Sequence, residues 1–150
     1  LFTNDGKKLS RDAKSAEILM FKSCYYPIGG LTSDDVLDEW KQAFLDDIIP
    51  YAQEHSGQTI VAMPPVPYRQ QDTEEANHDR AREWANWLGS EFLTQAPDNV
   101  TCFDLFDLWA DSTNNWLKEE YEGDDSHPND YASLMAADSI AAFIAYLKAD

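Results

Sequence analysis

Basic residues are scarce in this 150-residue chain, which has 11 Lys and Arg against 28 Asp and Glu and a formal net charge of −17. Binding to nucleic acid needs a basic surface that neutralises phosphates, so the composition predicts no nucleic-acid partner. An anionic membrane surface would repel the chain for the same reason. No stretch approaches the roughly 20 apolar residues that span a bilayer, so no membrane partner is expected.

Cysteine is also scarce: the chain has only two, Cys24 and Cys102, and they do not make a disulfide framework. Both lie in apolar, strand-like runs, which predicts buried free thiols. Asp104 and Asp107 could join His127 at a metal ion, but no second histidine has the spacing of a metal ligand. The sequence therefore predicts neither a metal nor a cofactor.

Short apolar runs alternate with longer segments in which apolar residues recur at helical spacing. The predicted strands are Glu17–Tyr25, Thr59–Met63 and Val100–Phe103, and the predicted helices are Ser33–His55, Asp72–Thr94, Phe106–Glu119 and Asp130–Lys148. Pro50 lies inside the first helical pattern and predicts a kink or break there. This alternation predicts a single α/β domain over residues 1–150, with a parallel sheet covered by helices on both faces.

The loops at the carboxyl ends of parallel strands form the functional site of such a sheet. We therefore expect three segments to meet: Ser23–Leu31, Pro64–Arg69 and the loop that reaches Asp124–His127. The residues predicted to contact a substrate are those at the strand ends: Ser23, Cys24, Tyr25, Pro65 and Tyr68.

A histidine with nearby carboxylates precedes the last predicted helix, in the order Asp124, Asp125, Ser126, His127, Pro128, Asn129. A carboxylate that accepts a hydrogen bond from Nδ1–H fixes the imidazole tautomer and leaves Nε2 available as a base. Asn129 is expected to cap the helix that follows. The other two histidines, His55 and His78, are expected to be solvated residues on helices.

This last motif resembles the final block of SGNH (GDSL-type) hydrolases, which is usually Asp-x-x-His-Pro followed by a helix. Phe21–Tyr25 with Pro27 resembles the third strand of a bacterial branch of that superfamily, and Ile60–Pro65 resembles the next strand and its proline-rich exit. The resemblance covers roughly residues 17–148. It implies a flavodoxin-like three-layer α/β fold and hydrolysis of acyl esters, such as those of acylated carbohydrates. It assigns His127 as the base and Asp124, or alternatively Asp125, as the residue that orients it.

Two blocks of the family pattern are missing. No Gly-Asp-Ser occurs in the chain, so the strand that ends in the nucleophilic serine has no counterpart, and the usual Gly-x-Asn-Asp is replaced near Ser23–Tyr25. Without the serine strand, Ile18–Phe21 would form a bare sheet edge. We therefore expect the chain to be the C-terminal part of a longer domain, in which an N-terminal segment or a second chain completes the sheet and supplies the serine.

Two alternatives remain open on the residues alone. Ser23 or Cys24 could itself be a nucleophile at the end of a strand. For Cys24, the nearby Lys22 would favour this role, because a neighbouring positive charge lowers the pKa of a thiol. The chain could also be a non-catalytic binding or interaction domain on the same scaffold, since a fold does not determine a function. A nucleophile within hydrogen-bond reach of His127 would distinguish the enzyme from the binding domain.

Overall fold

Three parallel strands form one sheet in the computed structural model, which describes residues 15–22, 31–124 and 127–149. The strands are β1 (Ile18–Lys22), β2 (Thr59–Met63) and β3 (Val100–Cys102), in the order β1–β2–β3. Ile18 pairs with Thr59, and Ile60 pairs with Val100. The expectation of an α/β fold built on a parallel sheet is confirmed.

The helices are α1 (Asp34–Glu54), α2 (Glu75–Gly89), α3 (Glu91–Gln95), α4 (Leu105–Trp109) and α5 (Asp130–Leu147), with a 3₁₀ turn at Glu119–Tyr121. Helix α1 begins where the sequence predicts, because the Ser33 hydroxyl accepts a hydrogen bond from the N–H of Val36 at 3.4 Å. The helix continues through Pro50 without a break. Ile48 and Ala52, on either side of the proline, are fully buried, and this packing holds the helix together.

Two predicted helices are shorter than the sequence pattern suggests. The segment predicted as one helix from Asp72 to Thr94 divides at Ser90, which leaves helical geometry with φ −132° and ψ −87°. The helix predicted from Phe106 to Glu119 ends at Trp109. Beyond it, the Asp111 carboxylate accepts hydrogen bonds from the N–H groups of Thr113 and Asn114, which favours a turn over a further helical turn.

Helices cover both faces of the sheet. On one face, the Phe44 ring of α1 lies 5.8 Å from Phe21 of β1 and 4.7 Å from Trp84 of α2, measured between ring centroids. The N–H of Phe103 donates to the Ala62 carbonyl at 3.0 Å and so continues the pairing of β3 by one residue. Successive side chains along a strand point to opposite faces, so Phe103 lies on the other face from Cys102. There the Phe103 ring packs 5.2 Å from Phe143 of α5. The three-layer arrangement is the predicted one.

At the amino ends of the strands, side-chain amides form hydrogen bonds with backbone carbonyl groups. The Asn99 amide nitrogen lies within hydrogen-bond distance of the carbonyl oxygens of Ala52, His55 and Gln58, at 3.1, 3.3 and 2.9 Å. The Gln58 side chain is 5% exposed and donates to the carbonyl of Ala16 at 2.6 Å. These bonds tie the end of α1 to the strands that begin beside it.

None of the helices in the described segments is both long enough and apolar enough to cross a bilayer.

Candidate functional site at the carboxyl edge

Two of the three segments expected at the carboxyl edge of the sheet meet there. Val66, in the segment that leaves β2, is buried in one cluster with Tyr121 and with Ala132 of α5. The N–H of Leu117 donates to the Tyr68 carbonyl at 2.9 Å. Of the third expected segment, Ser23–Leu31, only Leu31 belongs to the described residues.

Arg69 connects these two segments through a buried side chain. It is 8% exposed and forms a two-pronged ion pair with Asp72, at 2.6 Å from Nε and 3.0 Å from Nη2. Its Nη1 donates a further hydrogen bond to the carbonyl of Gly123 at 3.0 Å. Bonds of this geometry fix the orientation of the planar guanidinium. Arg69 therefore fixes the start of the loop that leads to His127.

The same loop is closed at its base by backbone pairing and by one asparagine. Glu122 and Pro128 form an antiparallel bridge, and the N–H of Asn129 donates to the Tyr121 carbonyl at 2.9 Å. The Asn129 amide nitrogen donates to the carbonyls of Glu120 and Glu122, at 2.9 and 3.1 Å. Its side-chain oxygen accepts from the N–H of Ala132 at 2.9 Å, which confirms Asn129 as the cap of α5.

Asp124 and His127 are both solvent-exposed within this loop. Gly123 packs so closely against the backbone of His127 that a Cβ atom on the glycine would lie 2.5 Å from the His127 carbonyl oxygen. The loop therefore presents the imidazole to solvent from a backbone that is held on both sides. Asp125 lies outside the described residues, so the choice between Asp124 and Asp125 as the orienting carboxylate stays a prediction.

The residues predicted to contact a substrate fall into two groups. Ser23, Cys24 and Tyr25 lie outside the described residues. Pro65 is buried, and Tyr68 is 7% exposed and packs in a cluster with Phe106. Their assignment to substrate contact stays a prediction.

An open groove of about 810 Å³ borders the base of the His127 loop. Polar and acidic side chains predominate in its lining, which consists of Gln70, Asp111, Asn114, Trp116, Leu117, Lys118, Glu119, Glu120 and Glu122. A smaller hollow of about 390 Å³ shares Gln70 and Glu122 with it. Carboxylates outnumber the single lysine, so the groove favours neutral or cationic molecules over anions.

The two aspartates considered as metal ligands have structural partners. The Asp104 carboxylate accepts from the N–H of Asp107 at 2.9 Å and caps α4. Asp107 pairs with Arg82 at 2.6 Å. Burial raises the pKa of Asp104, and it raises the pKa of the neighbouring Cys102 thiol to about 12, with the Asp104 charge as the smaller cause. Across residues 15–22, 31–124 and 127–149, no group of three or more His, Cys, Asp or Glu is placed to hold a metal ion.

His78 is not the solvated residue that the sequence suggests. It is 1% exposed, its Nε2 lies 2.9 Å from the carbonyl of Asn115, and its ring stacks on Trp116 with a centroid distance of 3.7 Å. Burial lowers its pKa, while the bond to Asn115 opposes this shift. The prediction failed because the loop that covers the ring is distant in the sequence. His55 is half-buried and stacks on Tyr51 at 4.1 Å.

Sequence reasoning also missed the support of the His127 loop by Arg69 and Asp72. A charged pair beside a proline-rich exit resembles ordinary solvated loop residues. One feature of the sequence could have indicated this role. Arg69 directly follows Pro64–Tyr68, in the loop at the carboxyl end of a parallel strand, and such loops form the functional site.

No protein-family model and no curated protein matches this sequence, but solved structures do. A proposed acylhydrolase from Bacteroides fragilis aligns with a TM-score of 0.62 and 12% identity, over 89% of this chain and 63% of that one. A proposed lipolytic protein of the G-D-S-L family from Desulfitobacterium hafniense gives a TM-score of 0.57 and 15% identity, over 83% and 64%. A proposed platelet activating factor from Streptococcus pneumoniae gives 0.56 and 15%, over 81% and 58%.

The chain thus spans less than two thirds of the length of each of these structures, at 63%, 58% and 64%. Identities of 12–15% establish a shared fold rather than a shared activity. The protein has the fold of SGNH (GDSL-type) hydrolases, as its motifs predict.

Proposed function

We propose that this protein takes part in the hydrolysis of acyl esters by a Ser-His-Asp mechanism, with His127 as the general base. The observation that carries the proposal is the exposed His127, held at the carboxyl edge of a hydrolase-type sheet by a loop that is fastened on both sides. The serine is supplied by polypeptide outside these 150 residues.

The fastening of the loop supports a catalytic role better than an incidental one. A base must stay within about 0.5 Å of its working position to act on a nucleophile. Arg69 holds the loop at Gly123, and Asn129 holds it at the start of α5. The support includes a buried guanidinium, and burying a charge has a cost that its pairing with Asp72 and its bond to Gly123 offset.

The proposed reaction follows the order of acyl transfer. Nε2 of His127 removes the proton of the serine hydroxyl while the serine oxygen attacks the ester carbon. The protonated imidazole then gives that proton to the departing alcohol as the ester C–O bond breaks. Water, deprotonated by the same imidazole, attacks the acyl-serine. As the bond between the acyl carbon and the serine oxygen breaks, the imidazolium returns the proton to that oxygen and the carboxylic acid is released. Asp124 or Asp125 accepts the Nδ1–H bond and stabilises the imidazolium form.

The groove beside the loop supports an acylated carbohydrate as the substrate class. Its lining offers Gln70, Asn114 and several carboxylates as partners for hydroxyl groups, with Trp116 as an aromatic surface. A lipid chain would need an apolar channel instead. The acidic lining also disfavours an anionic ester.

The test is hydrolysis of 4-nitrophenyl acetate by the protein together with the polypeptide that carries the serine. His127→Ala should lower kcat by about 10⁴-fold or more, while the fold is retained. His55→Ala, at the opposite edge of the sheet, should leave kcat unchanged.

Of Asp124→Asn and Asp125→Asn, one should lower kcat about a thousandfold or more and the other should have little effect.

A wild-type rate in His127→Ala would overturn the proposal. Independently of that measurement, labelling with a fluorophosphonate separates the remaining hypotheses. Modification of Ser23 would place the nucleophile inside this chain. Absence of both labelling and turnover, with retained binding of an acylated carbohydrate, would indicate a binding domain.

A further inference from the structure

A short loop forms one wall of the groove beside the His127 loop. This wall loop, residues 111–116, contributes Asp111, Asn114 and Trp116 to the groove of about 810 Å³. Asp111, Ser112 and Asn115 of the same loop line a second open hollow of about 660 Å³. Because the wall loop borders open space at both hollows, its position depends on few contacts.

Backbone hydrogen bonds close the wall loop at its base. The N–H of Asp111 donates to the Trp116 carbonyl at 2.7 Å, and the N–H of Asn115 donates to the Asp111 carbonyl at 2.8 Å. Ala110 and Leu117, the residues that flank the loop, form an antiparallel bridge. These bonds join parts of the loop to each other and do not attach it to helix α2.

His78 of α2 supplies that attachment. Its Nε2 lies 2.9 Å from the Asn115 carbonyl, which can only accept, so Nε2 donates. The imidazole stacks on the Trp116 indole with 3.7 Å between ring centroids and 22° between ring planes. The imidazole is also 1% exposed beneath the wall loop. Asn115 has a φ of 65°, and a backbone conformation of this kind persists only where surrounding contacts hold it.

We propose that His78 is a positioning residue of the groove, which holds the wall loop in the shape that presents Asn114 and Trp116 to a bound carbohydrate. The imidazole covers one face of the indole, so a molecule in the groove meets the opposite face or the edge. The carbohydrate half of this inference rests on the proposed function. The hold of His78 on the wall loop does not depend on it.

The imidazole combines two contacts that can be removed one at a time. His78→Phe keeps an aromatic ring for Trp116 but leaves the half-buried Asn115 carbonyl without this donor. His78→Gln keeps a donor and loses the stacking. His78→Ala removes both contacts. Since each contact stabilises the closed loop, each loss favours conformations in which the wall loop opens to water.

The same geometry makes the wall loop sensitive to pH. Burial lowers the pKa of His78, so the imidazole takes up a proton more readily when the loop opens and water reaches the ring. The charged side chains on the elements packed around the ring are Glu75, Asp79 and Arg82 on α2, Asp104 and Asp107 at α4, and Asp111 on the wall loop. Glu75 and Asp79 favour the charged ring and Arg82 disfavours it, but burial outweighs them. Opening therefore becomes more favourable below about pH 6.5.

Hydrogen exchange of the intact protein tests the hold on the wall loop. The Asn115 amide reports opening of the loop, and the Val61 amide, in the buried middle of β2, reports unfolding of the sheet. Asn115 should be less protected than Val61, because it exchanges through local opening. Between pH 7.5 and 5.5 its protection factor should fall severalfold, with a ceiling of about tenfold for one histidine.

Four variants separate the two contacts from a general loss of stability. In His78→Ala the protection factor of Asn115 at pH 7.5 should fall at least about tenfold while Val61 stays protected. His78→Phe and His78→Gln should each restore part of that protection. Both should also lose most of the pH dependence of Asn115, which destabilisation alone would not remove. His55→Ala, at the opposite edge of the sheet, should match the wild type.

Calorimetric titration with a partly acetylated cellotetraose tests the binding half. The Kd of His78→Ala at pH 7.5 should be at least about fivefold weaker than that of the wild type, because only the closed wall loop presents its side chains to the sugar. His78→Phe and His78→Gln should give intermediate values. His55→Ala should bind as the wild type does.

Three results would overturn the inference. The first is equal protection of Asn115 and Val61 in the wild type, which would mean that the wall loop opens only when the domain unfolds. The second is wild-type protection of Asn115 in His78→Ala, which would show that other contacts hold the loop. The third is a wild-type Kd in His78→Ala, which would show that the carbohydrate does not use the wall loop.

Failure of the proposed function would give a different pattern. A wild-type protein that does not bind the acetylated cellotetraose would overturn carbohydrate as the substrate class, together with the binding half of this inference. The exchange rates of Asn115 would then still decide whether His78 holds the wall loop. If loss of Val61 protection shows that His78→Ala does not fold, His78→Phe, His78→Gln and the pH dependence of the wild type decide instead.

Discussion

His78 shows how strongly one side chain depends on a loop that is distant in sequence. The ring is 1% exposed, donates from Nε2 to the Asn115 carbonyl and stacks on Trp116. Asn115 itself has a positive φ of 65°, a conformation that asparagine tolerates better than most residues. The loop therefore adopts an uncommon backbone shape around the imidazole, and helical periodicity around His78 carries no sign of it.

The lowered pKa of His78 predicts a loss of stability in mild acid. Burial is the main cause, and among the nearby charges Asp79 and Glu75 oppose the shift while Arg82 adds to it. Below about pH 6.5 the imidazole of His78 is protonated in the unfolded chain but stays neutral in the folded chain. The free energy of unfolding therefore falls as the pH decreases toward the pKa of His78 in the folded state. Urea unfolding at pH 7.5 and 5.5 should show this loss for the wild type.

His78→Gln supplies the comparison, because glutamine keeps a donor for Asn115 but does not titrate. This variant should be less stable at pH 7.5 by about 1–3 kcal/mol. It should also lose less stability than the wild type between the two pH values. An equal loss in both proteins would assign the acid sensitivity to titratable groups other than His78.

At the scale of elements, the strands and the start of α1 follow from local patterns. Ile18–Phe21 and Thr59–Met63 are short apolar runs, and Ser33 is a standard helix cap. The division at Ser90 and the end of α4 could not be predicted, because they depend on side-chain bonds and packing that periodicity does not encode. The site was predicted only as a meeting of loops and a histidine motif.

The loop that carries His127 depends on a close contact at Gly123. A Cβ there would lie 2.5 Å from the His127 carbonyl oxygen, whereas a Cβ at Gly57 would have no heavy atom within 4 Å. Gly123→Ala should therefore displace the loop and lower the free energy of unfolding by about 1–3 kcal/mol. Gly57→Ala, the matched control, should change it by less than about 1 kcal/mol.

Urea denaturation of both variants checks this prediction, and amide chemical shifts of Asn129 report on the loop. Shifts at Asn129 in Gly123→Ala, with none in Gly57→Ala, are expected. Equal stability of the two variants would show that the His127 loop moves away from the added Cβ with no loss in the free energy of unfolding. The loop would then be less firmly held than its hydrogen bonds suggest.

At the scale of the whole molecule, the net charge of −17 opposes the compact state. In the described residues, few of the carboxylates pair with a Lys or Arg side chain. Exposed pairs such as Lys148–Glu17 contribute little to the free energy of unfolding. Salt screens repulsion between exposed charges over about 10 Å at 0.1 M. We therefore expect Tm to rise by several degrees between about 0.02 and 0.5 M NaCl.

Circular dichroism measures this change, and a repeat near the isoelectric pH is the control, since repulsion is smallest there. The salt effect should shrink in the control. A Tm that falls with added salt at neutral pH would mean that attractive pairs such as Arg69–Asp72 outweigh the overall repulsion.

The closed amino edge of the sheet also bears on how the protein can change over generations. Asn99 fastens the end of α1 to the start of β2 without any help from the loops at the other end. Insertions in those loops carry only a small entropic penalty. The loops between β3 and α5 can therefore vary in length and sequence, while the hydrogen bonds of Asn99 at the opposite end of the molecule keep successive variants folded.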